Sequence, residues 1–119
     1  MKTHKDLDIW KKGVDLVTDI YKITGKFPKE EIYGLASQMR RSAISYPSNV
    51  AEGAAKNTKL DYIRFIYISL GSLSELETQV IISKNLGFIP NVKDLLKEIE
   101  ILRKMTLNFI KHLKNKGSK

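Results

Sequence analysis

Apolar residues recur every three or four positions along most of the chain, and no stretch alternates apolar and polar residues with period two. This spacing places apolar side chains on one face of an α-helix, whereas a half-buried strand would need strict alternation. Four such segments are separated by short stretches containing glycine, proline or asparagine, which commonly end helices. The pattern therefore predicts an all-α protein with four helices.

The first two helices are bounded by recognisable start and stop signals. Helix 1 is predicted over about 8–24, because Gly25 and the pair Phe27-Pro28 follow it. Helix 2 is predicted to begin near Lys29, with acidic residues in the first turn, where the helix dipole favours them. It continues to about Ala55.

The last two helices have comparable signals. Helix 3 starts after Thr58, which has the spacing of a capping box with Asp61, and ends at residues 85–87. Helix 4 is capped by Asn91 and extends to about Lys114, and the tail beyond is expected to fray. Connections of a few residues force neighbouring helices to be antiparallel, which predicts a single up-and-down four-helix bundle over residues 1–119.

Helix 2 carries Pro47 near its middle. A proline in a helix interior removes one backbone hydrogen bond and clashes with the carbonyl four residues earlier, which costs about 3 kcal/mol. The apolar and polar rows keep the same phase on both sides of Pro47, so we predict one continuous helix with a kink. The alternative is two helices, the second beginning with Asn49 and Glu52 as a capping box.

A column of polar side chains runs along helix 2, on roughly the opposite side from its apolar row. We predict that this column, with Arg40 and with Glu77 of helix 3, forms a structural polar tie between helices. Glu77 lies on an apolar face, where an unpaired carboxylate is strongly unfavourable, and Arg40 and Arg41 are its predicted partners. The alternative function of the two arginines is binding RNA phosphate. The members of the column are Gln38, Arg41, Ser45, Asn49 and Glu52.

Several motifs carry a family resemblance. Those around helix 2 are Tyr33-Gly34-Leu35, Gln38, Arg40-Arg41, Ser45, Pro47, Asn49 and Ala51-Glu52-Gly53. Those further out are Leu7 with Ile9-Trp10-Lys11, Phe27-Pro28, and Gly71-Ser72-Leu73 with Glu75-Leu76-Glu77. Together they resemble the family of four-helix-bundle proteins encoded in intervening sequences of bacterial 23S rRNA genes.

The resemblance spans residues 7 to about 80 and implies an up-and-down four-helix bundle that assembles as a ring, a homopentamer. It also implies kinship with a basic accessory protein of diversity-generating retroelements, which binds nucleic acid and a reverse transcriptase. It brings no established biochemical activity.

Helices 1 and 4 carry more apolar surface than one core face requires. Each apolar arc covers roughly 200° of the helix, whereas a surface helix needs about 100°. We expect the second apolar row of each helix to form interfaces in a homo-oligomer, together with Tyr67, Ile68 or Ile82 of helix 3. Core faces widened by kinks and splayed crossings are the alternative. The second row of helix 1 is Ile9, Gly13, Leu16, Ile20 and Ile23, and helix 4 is widened by Leu96, Leu107, Ile110 and Met105.

The net charge of +8 is carried entirely by the two ends of the chain. Residues 1–29 hold seven Lys and four Asp, and residues 87–119 hold eight basic and three acidic residues, whereas the two middle segments are balanced. A localised basic surface favours polyanions through phosphate neutralisation and counterion release. Solubility alone is the competing explanation.

No catalytic, cofactor or metal site is predicted. The chain has no cysteine, and His4 and His112 lack the spacing of a helical metal pair. Glu75 and Glu77 point to different sides of a helix and cannot act on one substrate atom. We therefore expect no enzyme and no cofactor. The sequence shows neither a signal peptide nor a membrane span, so a cytoplasmic bacterial protein is the expectation.

Two functions compete. The first is an oligomeric accessory protein that binds RNA or DNA phosphates with weak sequence specificity, and a reverse transcriptase or another protein is a possible further partner. Aromatic residues lie mostly on core rows, which argues against stacking of single strands. The alternative is a structural scaffold that binds a protein partner and has no nucleic-acid role. The candidate nucleic-acid contacts are Lys11, Lys12, Lys22, Lys93, Lys97, Lys104, Lys111 and Lys114.

Overall fold

The structure is a computed structural model that describes residues 2–116, and this part of the chain forms four α-helices and no strand. The all-α prediction is therefore confirmed. Short 3₁₀ turns at His4–Asp6 and Lys29–Glu31 precede the first two helices. The helices are α1 (Asp8–Thr24), α2 (Leu35–Ala54), α3 (Lys59–Asn85) and α4 (Lys93–Asn115).

The start of helix 2 was predicted too early. Residues Lys29–Glu31 form only a 3₁₀ turn, and the α-helix begins at Leu35. Gly34 separates the two with φ −111° and ψ −112°, a backbone geometry outside the helical region. The Glu31 carboxylate accepts a hydrogen bond from the Leu35 backbone N–H at 3.2 Å, so this acid serves the first turn of α2 from outside the helix.

The ends of α3 and α4 lie close to their predicted positions. The Thr58 side chain accepts a hydrogen bond from the Asp61 N–H at 3.1 Å, as half of a capping box does. Asn91 accepts from the Lys93 N–H at 2.9 Å, but the N-cap position belongs to Val92. Helix α4 extends to Asn115, and residues 117–119 of the tail predicted to fray lie outside the described residues.

Consecutive helices are antiparallel, and α4 packs beside α1. The contacts between α2 and α3 show that these helices are antiparallel. As the α2 number rises, the α3 number falls: Met39 contacts Ser83, Ser45 contacts Ser72, and Gly53 lies next to Phe65. The overall dimensions of 52 × 23 × 21 Å suit a bundle whose longest helix has 27 residues. The four helices thus form an up-and-down bundle in which α2 and α4 are diagonal partners.

Both ends of the described chain lie at the end of the bundle that holds the α2–α3 connection. Residues Lys2–Lys5 border a surface groove with Ala54 and Ala55. At the other terminus, Lys59 donates from Nζ to the backbone carbonyl of Lys116 at 3.1 Å. The α1–α2 and α3–α4 connections lie at the opposite end, where Phe27 and Phe88 contact each other at 5.4 Å between ring centroids.

The centre of the core is crossed by Tyr46 of α2. Its ring is fully buried, and its hydroxyl forms a 2.7 Å hydrogen bond with the Thr106 hydroxyl of the diagonal helix α4. Burial raises the pKa of the Tyr46 hydroxyl far above its usual range, and the hydrogen bond to Thr106 opposes this only in part. Gly13 of α1 packs directly on the Tyr46 ring, because a Cβ at this position would lie only 2.6 Å from Cδ2.

Helix α2 is continuous through Pro47, as predicted. Asn49 and Glu52 belong to the same helix and do not begin a second one. Pro47 is buried, and its Cβ lies close to the point where Gly13 of α1 approaches. The bend at Pro47 remains a prediction.

Candidate functional site

Four lysines form a row along the outer face of α4. Lys93, Lys97, Lys104 and Lys111 are all exposed, and their spacings of four and seven residues place them on one side of the helix. The row extends along about 27 Å of helix. The buried row on the opposite side of α4 consists of Leu95, Ile99, Leu102, Thr106, Ile110 and Leu113.

The other four candidate lysines are also exposed, but two of them have local partners. Lys11 and Lys22 lie on the outer face of α1, on the side away from its buried row. Lys12 borders a narrow groove between α1 and α4 that also holds acidic residues. Lys114 donates from Nζ to the Tyr67 hydroxyl at 3.0 Å, with the ammonium 5.3 Å from the Tyr67 ring centroid. The structure therefore brings the α4 row together, while Lys12 borders the acidic groove and Lys114 is directed to Tyr67 of α3.

An acidic cluster interrupts the basic surface where α1 meets α4. The Glu98 carboxyl lies beside Leu16 and Leu102 in a groove of about 90 Å³ and near Asp15 and Asp19. Desolvation in this groove raises the pKa of Glu98. The negative charge of Asp19, its hydrogen bond to Glu98 and the charge of Asp15 raise this pKa further, whereas Lys12 lowers it. The positive potential is therefore weaker at this junction than along the α4 row.

The polar column of α2 contributes one hydrogen bond between helices. Ser45 of α2 and Ser72 of α3 lie 2.8 Å apart between hydroxyl oxygens. The Asn49 amide donates to both the carbonyl and the hydroxyl oxygen of Ser45, at 2.8 and 3.0 Å, and so holds the serine in place. Gln38 and Glu52 are exposed, and Glu52 pairs only with Lys56 one turn later, at 4.0 Å.

The partner predicted for Glu77 is wrong. Glu77 accepts hydrogen bonds from the guanidinium of Arg103 on α4, at 2.6 Å for the closer contact, and not from Arg40 or Arg41. Glu100, one turn before Arg103, contacts the same guanidinium. Hydrogen bonding to Glu77 raises the pKa of Arg103. The tie at Glu77 therefore connects α3 to α4.

Arg40 and Arg41 have different roles from those predicted. Arg40 donates from Nε to the Thr24 hydroxyl of α1 at 2.8 Å, and its guanidinium lies 4.6 Å from the Tyr21 ring centroid. Arg41 is exposed and makes no hydrogen bond or ion pair with another residue of the described chain. Arg41 therefore contributes no bond between helices within one subunit.

Two adjoining grooves run along the outer face of α2. The larger has a volume of about 690 Å³ and is bordered by Arg40, Arg41 and the side chains of Tyr21 and Tyr33. The smaller, of about 430 Å³, shares Tyr33 and Arg41 with it and reaches Glu75 of α3. Tyr33 is 96% exposed, and this exposure was not predicted. An aromatic residue next to the helix-starting Gly34, outside every apolar row, is the signal that could have indicated this exposure.

The apolar row of helix 1 that was predicted to face a partner subunit is instead the core row. Ile9, Gly13, Leu16 and Ile20 are all buried within the chain. The row left partly at the surface is the other one, with Val14 and Tyr21 exposed. On α4, Ile110 of the predicted interface set is also buried, whereas Leu107 is exposed. The other exposed apolar residues of α3 and α4 include Tyr67, Ile68, Ile82 and Ile101.

The described residues offer little else for chemistry. They contain no group of three or more histidine, aspartate or glutamate side chains arranged to hold a metal ion. The His4 ring contacts Trp10 with the centroids 5.2 Å apart, and the His112 ring lies 6.2 Å from Phe109. None of the helices in residues 2–116 combines the length and apolar character needed to cross a membrane.

Residues 5–108 match the protein family described as "23S rRNA-intervening sequence protein". The match includes α1, α2, α3 and most of α4, together with all the candidate lysines except Lys111 and Lys114. No curated protein matches the chain.

Proposed function

The chain belongs to the 23S rRNA-intervening sequence protein family, and we propose that it is a non-enzymatic homo-oligomer that binds RNA or DNA through an exposed lysine surface. A pentameric ring is the assembly that we propose. The contacts hold phosphates, so binding has little sequence preference. A reverse transcriptase or another protein is proposed as a further partner, and the cytoplasm as the location.

The observation that carries this proposal is the lysine row of α4. Lys93, Lys97, Lys104 and Lys111 share one exposed face over about 27 Å, and a duplex carries one negative charge per about 1.7 Å of axis. A rod-like array of ammonium groups on this scale can neutralise several phosphates at once. Because each neutralised phosphate releases counterions, the affinity depends steeply on salt.

Self-association is supported by the apolar residues that one subunit leaves exposed. Tyr67, Ile68 and Ile82 of α3 are each more than two-fifths exposed. The exposed Ile101 and Leu107 of α4 flank the lysine row, so they are not assigned to the subunit interface. Exposed apolar residues that form contiguous patches commonly mark interaction sites. In a ring, every subunit would contribute one α4 lysine row, so the charge available to one polyanion would be multiplied.

The acidic cluster favours a second candidate function. Asp15, Asp19 and Glu98 lie next to Lys12 and reduce the basic potential between α1 and α4. A protein scaffold whose charge serves only solubility would tolerate this interruption. We therefore keep a protein-binding scaffold without a nucleic-acid role as the alternative.

A salt series with two charge-reversed lysines tests the proposal. Binding of labelled RNA and duplex DNA is measured from low to physiological salt for the parent and for the double variant Lys104→Glu/Lys111→Glu. We expect the parent affinity to fall by about 10³-fold or more if it contacts six or more phosphates, and the variant to bind more weakly with a flatter log–log slope. Its thermal stability should change little, because both side chains are exposed.

A matched control is the reversal of two exposed lysines outside the candidate set, Lys59→Glu/Lys84→Glu, which changes the net charge equally. If both double variants lose the same affinity, total charge and not the α4 row controls binding. If the parent binds no nucleic acid at low salt, the scaffold function is the better description.

A further inference from the structure

The grooves on the outer face of α2 combine cationic, aromatic and polar side chains with the apolar Ile32 and Ile44. The larger groove of about 690 Å³ is bordered by two arginines and two tyrosines, and no acidic side chain borders it. Serine and asparagine side chains, including Ser37 and Ser48, supply the polar remainder. This combination offers positive charge, aromatic faces and hydrogen-bonding groups in one depression.

Arg40 is held in position before any ligand arrives. Its Nε donates to Thr24 at 2.8 Å, and its guanidinium lies over Tyr21 at 4.6 Å. Thr24 is itself fixed, because its hydroxyl donates to the Ile20 carbonyl at 2.7 Å. The terminal nitrogens of Arg40 make no ion pair with any described residue and keep donors for an anion. A preorganised guanidinium loses little entropy on binding a phosphate.

Arg41 and Tyr33 complete the site. Arg41 borders both grooves, and no carboxylate of the described residues pairs with it. Tyr33 borders both grooves as well, and this residue is 96% exposed. We propose that this face of α2 binds single-stranded nucleic acid, with a phosphate on Arg40 and Arg41 and an unpaired base stacked on Tyr33. This inference rests on the proposed nucleic-acid binding and adds a second, chemically different surface to it.

The chemistry selects a single strand over a duplex. An exposed tyrosine ring can stack only on a base whose face is accessible, and bases in a duplex are stacked on one another. The lysine row of α4, in contrast, provides point charges for phosphates of either form. Because α2 and α4 are diagonal in the bundle, their outer faces point in opposite directions. The two surfaces can therefore be tested separately.

Charge also decides against a second copy of the same α2 face as the occupant. Such a symmetric contact would bring four arginines together, with Glu75 as the only acidic residue that borders either groove. A polyanion compensates the same guanidinium groups directly. A head-to-tail ring contact would instead place a different face of the neighbouring subunit on α2, and the particle mass measured below tests that outcome. The unpaired guanidinium groups and the exposed Tyr33 favour a single strand as the occupant.

The test compares a labelled single-stranded oligonucleotide of about ten nucleotides with a duplex of equal length, by fluorescence anisotropy at low salt. Tyr33→Ala should weaken single-strand binding by about 5- to 150-fold, the range expected for one lost stacking contact. Tyr33→Phe keeps the aromatic face and should bind within about twofold of the parent. Arg41→Gln should weaken single-strand binding, whereas Arg64→Gln, an exposed arginine outside the groove, should not.

The duplex arm separates the two proposals. Retained duplex binding in Tyr33→Ala, together with lost single-strand binding, supports the α2 site. If the parent binds both ligands and Tyr33→Ala and Arg41→Gln both leave single-strand affinity unchanged, the α2 inference is wrong and the lysine surface stands. A changed particle mass of either variant in light scattering would show that α2 is a subunit contact and would also overturn the inference. A parent that binds neither ligand removes both proposals.

Discussion

Gly13 lets α1 approach α2 closely because it has no side chain. It lies where α1 crosses the fully buried Tyr46 ring, and a Cβ would approach Cδ2 and Cε2 to 2.6 and 2.8 Å. The ring cannot easily move away, because its hydroxyl is bonded to Thr106 at 2.7 Å. A methyl group at this position must therefore push α1 outward or displace the tyrosine.

We predict that Gly13→Ala lowers the free energy of unfolding by up to about 2 kcal/mol. Overpacking a filled core costs about 1–3 kcal/mol, and the roughly 1 kcal/mol that alanine gains over glycine in helix propensity offsets part of this cost. Urea denaturation followed by circular dichroism measures the difference. The matched control is Gly71→Ala in α3, where a Cβ has no neighbour within 4 Å, and this change should stabilise the protein by about 0.5–1 kcal/mol. Equal effects of the two substitutions would contradict this explanation.

Glu98 gives a pH-dependent prediction. Its pKa in the folded protein is raised by desolvation and by Asp19 and Asp15. At pH values between the ordinary pKa near 4.5 and this raised pKa, the folded state therefore binds more protons than the unfolded state. Stability therefore falls as pH increases through this interval. Glu98 is exposed, so solvent screens its neighbours' charges, and Glu98→Gln should stabilise the protein at pH 7 by no more than a few tenths of a kcal/mol. This advantage should disappear below about pH 4. Denaturation at both pH values measures it, and an equal difference at the two would refute the assignment.

Pairings between distant residues were the part of the site least accessible from sequence. Glu77 was correctly identified as a carboxylate on an apolar face, but Arg103 and not an arginine of α2 pairs with it. The choice depends on which helix lies on that side and on the register of the α3–α4 pair. Glu77 and Arg103 lie at similar distances along the chain on either side of the α3–α4 connection, so the register of an antiparallel hairpin could have suggested the pair.

Element boundaries were more predictable than the orientation of the elements. Helix α1 has the predicted bounds because Gly25 and Pro28 are local signals that act irrespective of the rest of the fold. Its two apolar rows were assigned in the wrong order, since periodicity alone cannot tell which of two apolar rows meets the core. The row that contains Gly13 faces the core, because the absence of a side chain at this position lets α1 approach Tyr46 closely.

At the scale of one helix, Pro47 yields a prediction about shape. Pro47→Ala restores the missing backbone donor and should raise the helix propensity of α2 by about 3 kcal/mol in an isolated helix. We expect the parent helix to bend at Pro47 and the variant to be straighter. The straighter helix should shift Ser45 relative to Ser72 and disturb assembly.

Crystal structures of parent and variant test this through the Ser45–Ser72 distance, which is 2.8 Å between hydroxyl oxygens here. Light scattering on the same samples reports any change of assembly. An unbent parent helix, or an unchanged distance together with an unchanged particle mass, would refute the proposed role of the proline.

At the scale of the whole molecule, the first quantity to measure is mass. One chain has a mass of 13.6 kDa, and a pentamer would have five times this mass. Light scattering at micromolar concentration should give the larger value if the exposed apolar residues of α3 form interfaces. Ile82→Lys, which puts a charge on an exposed apolar position, should lower the mass without unfolding the subunit. A parent protein with the mass of a single chain would exclude the ring.

Because both ends of the described chain lie beside the α2–α3 connection, a tether joined to either end would start from that tip of the bundle. The sides of the bundle, where α2 and α4 present their outer faces, would remain clear of the attachment. A chip-immobilised or fluorophore-labelled protein could thus be anchored at one tip without blocking either lateral surface. Tethers attached to the two ends of one chain would both start from the same tip. A distance probe between them would therefore report on fraying at that tip and not on the length of the bundle.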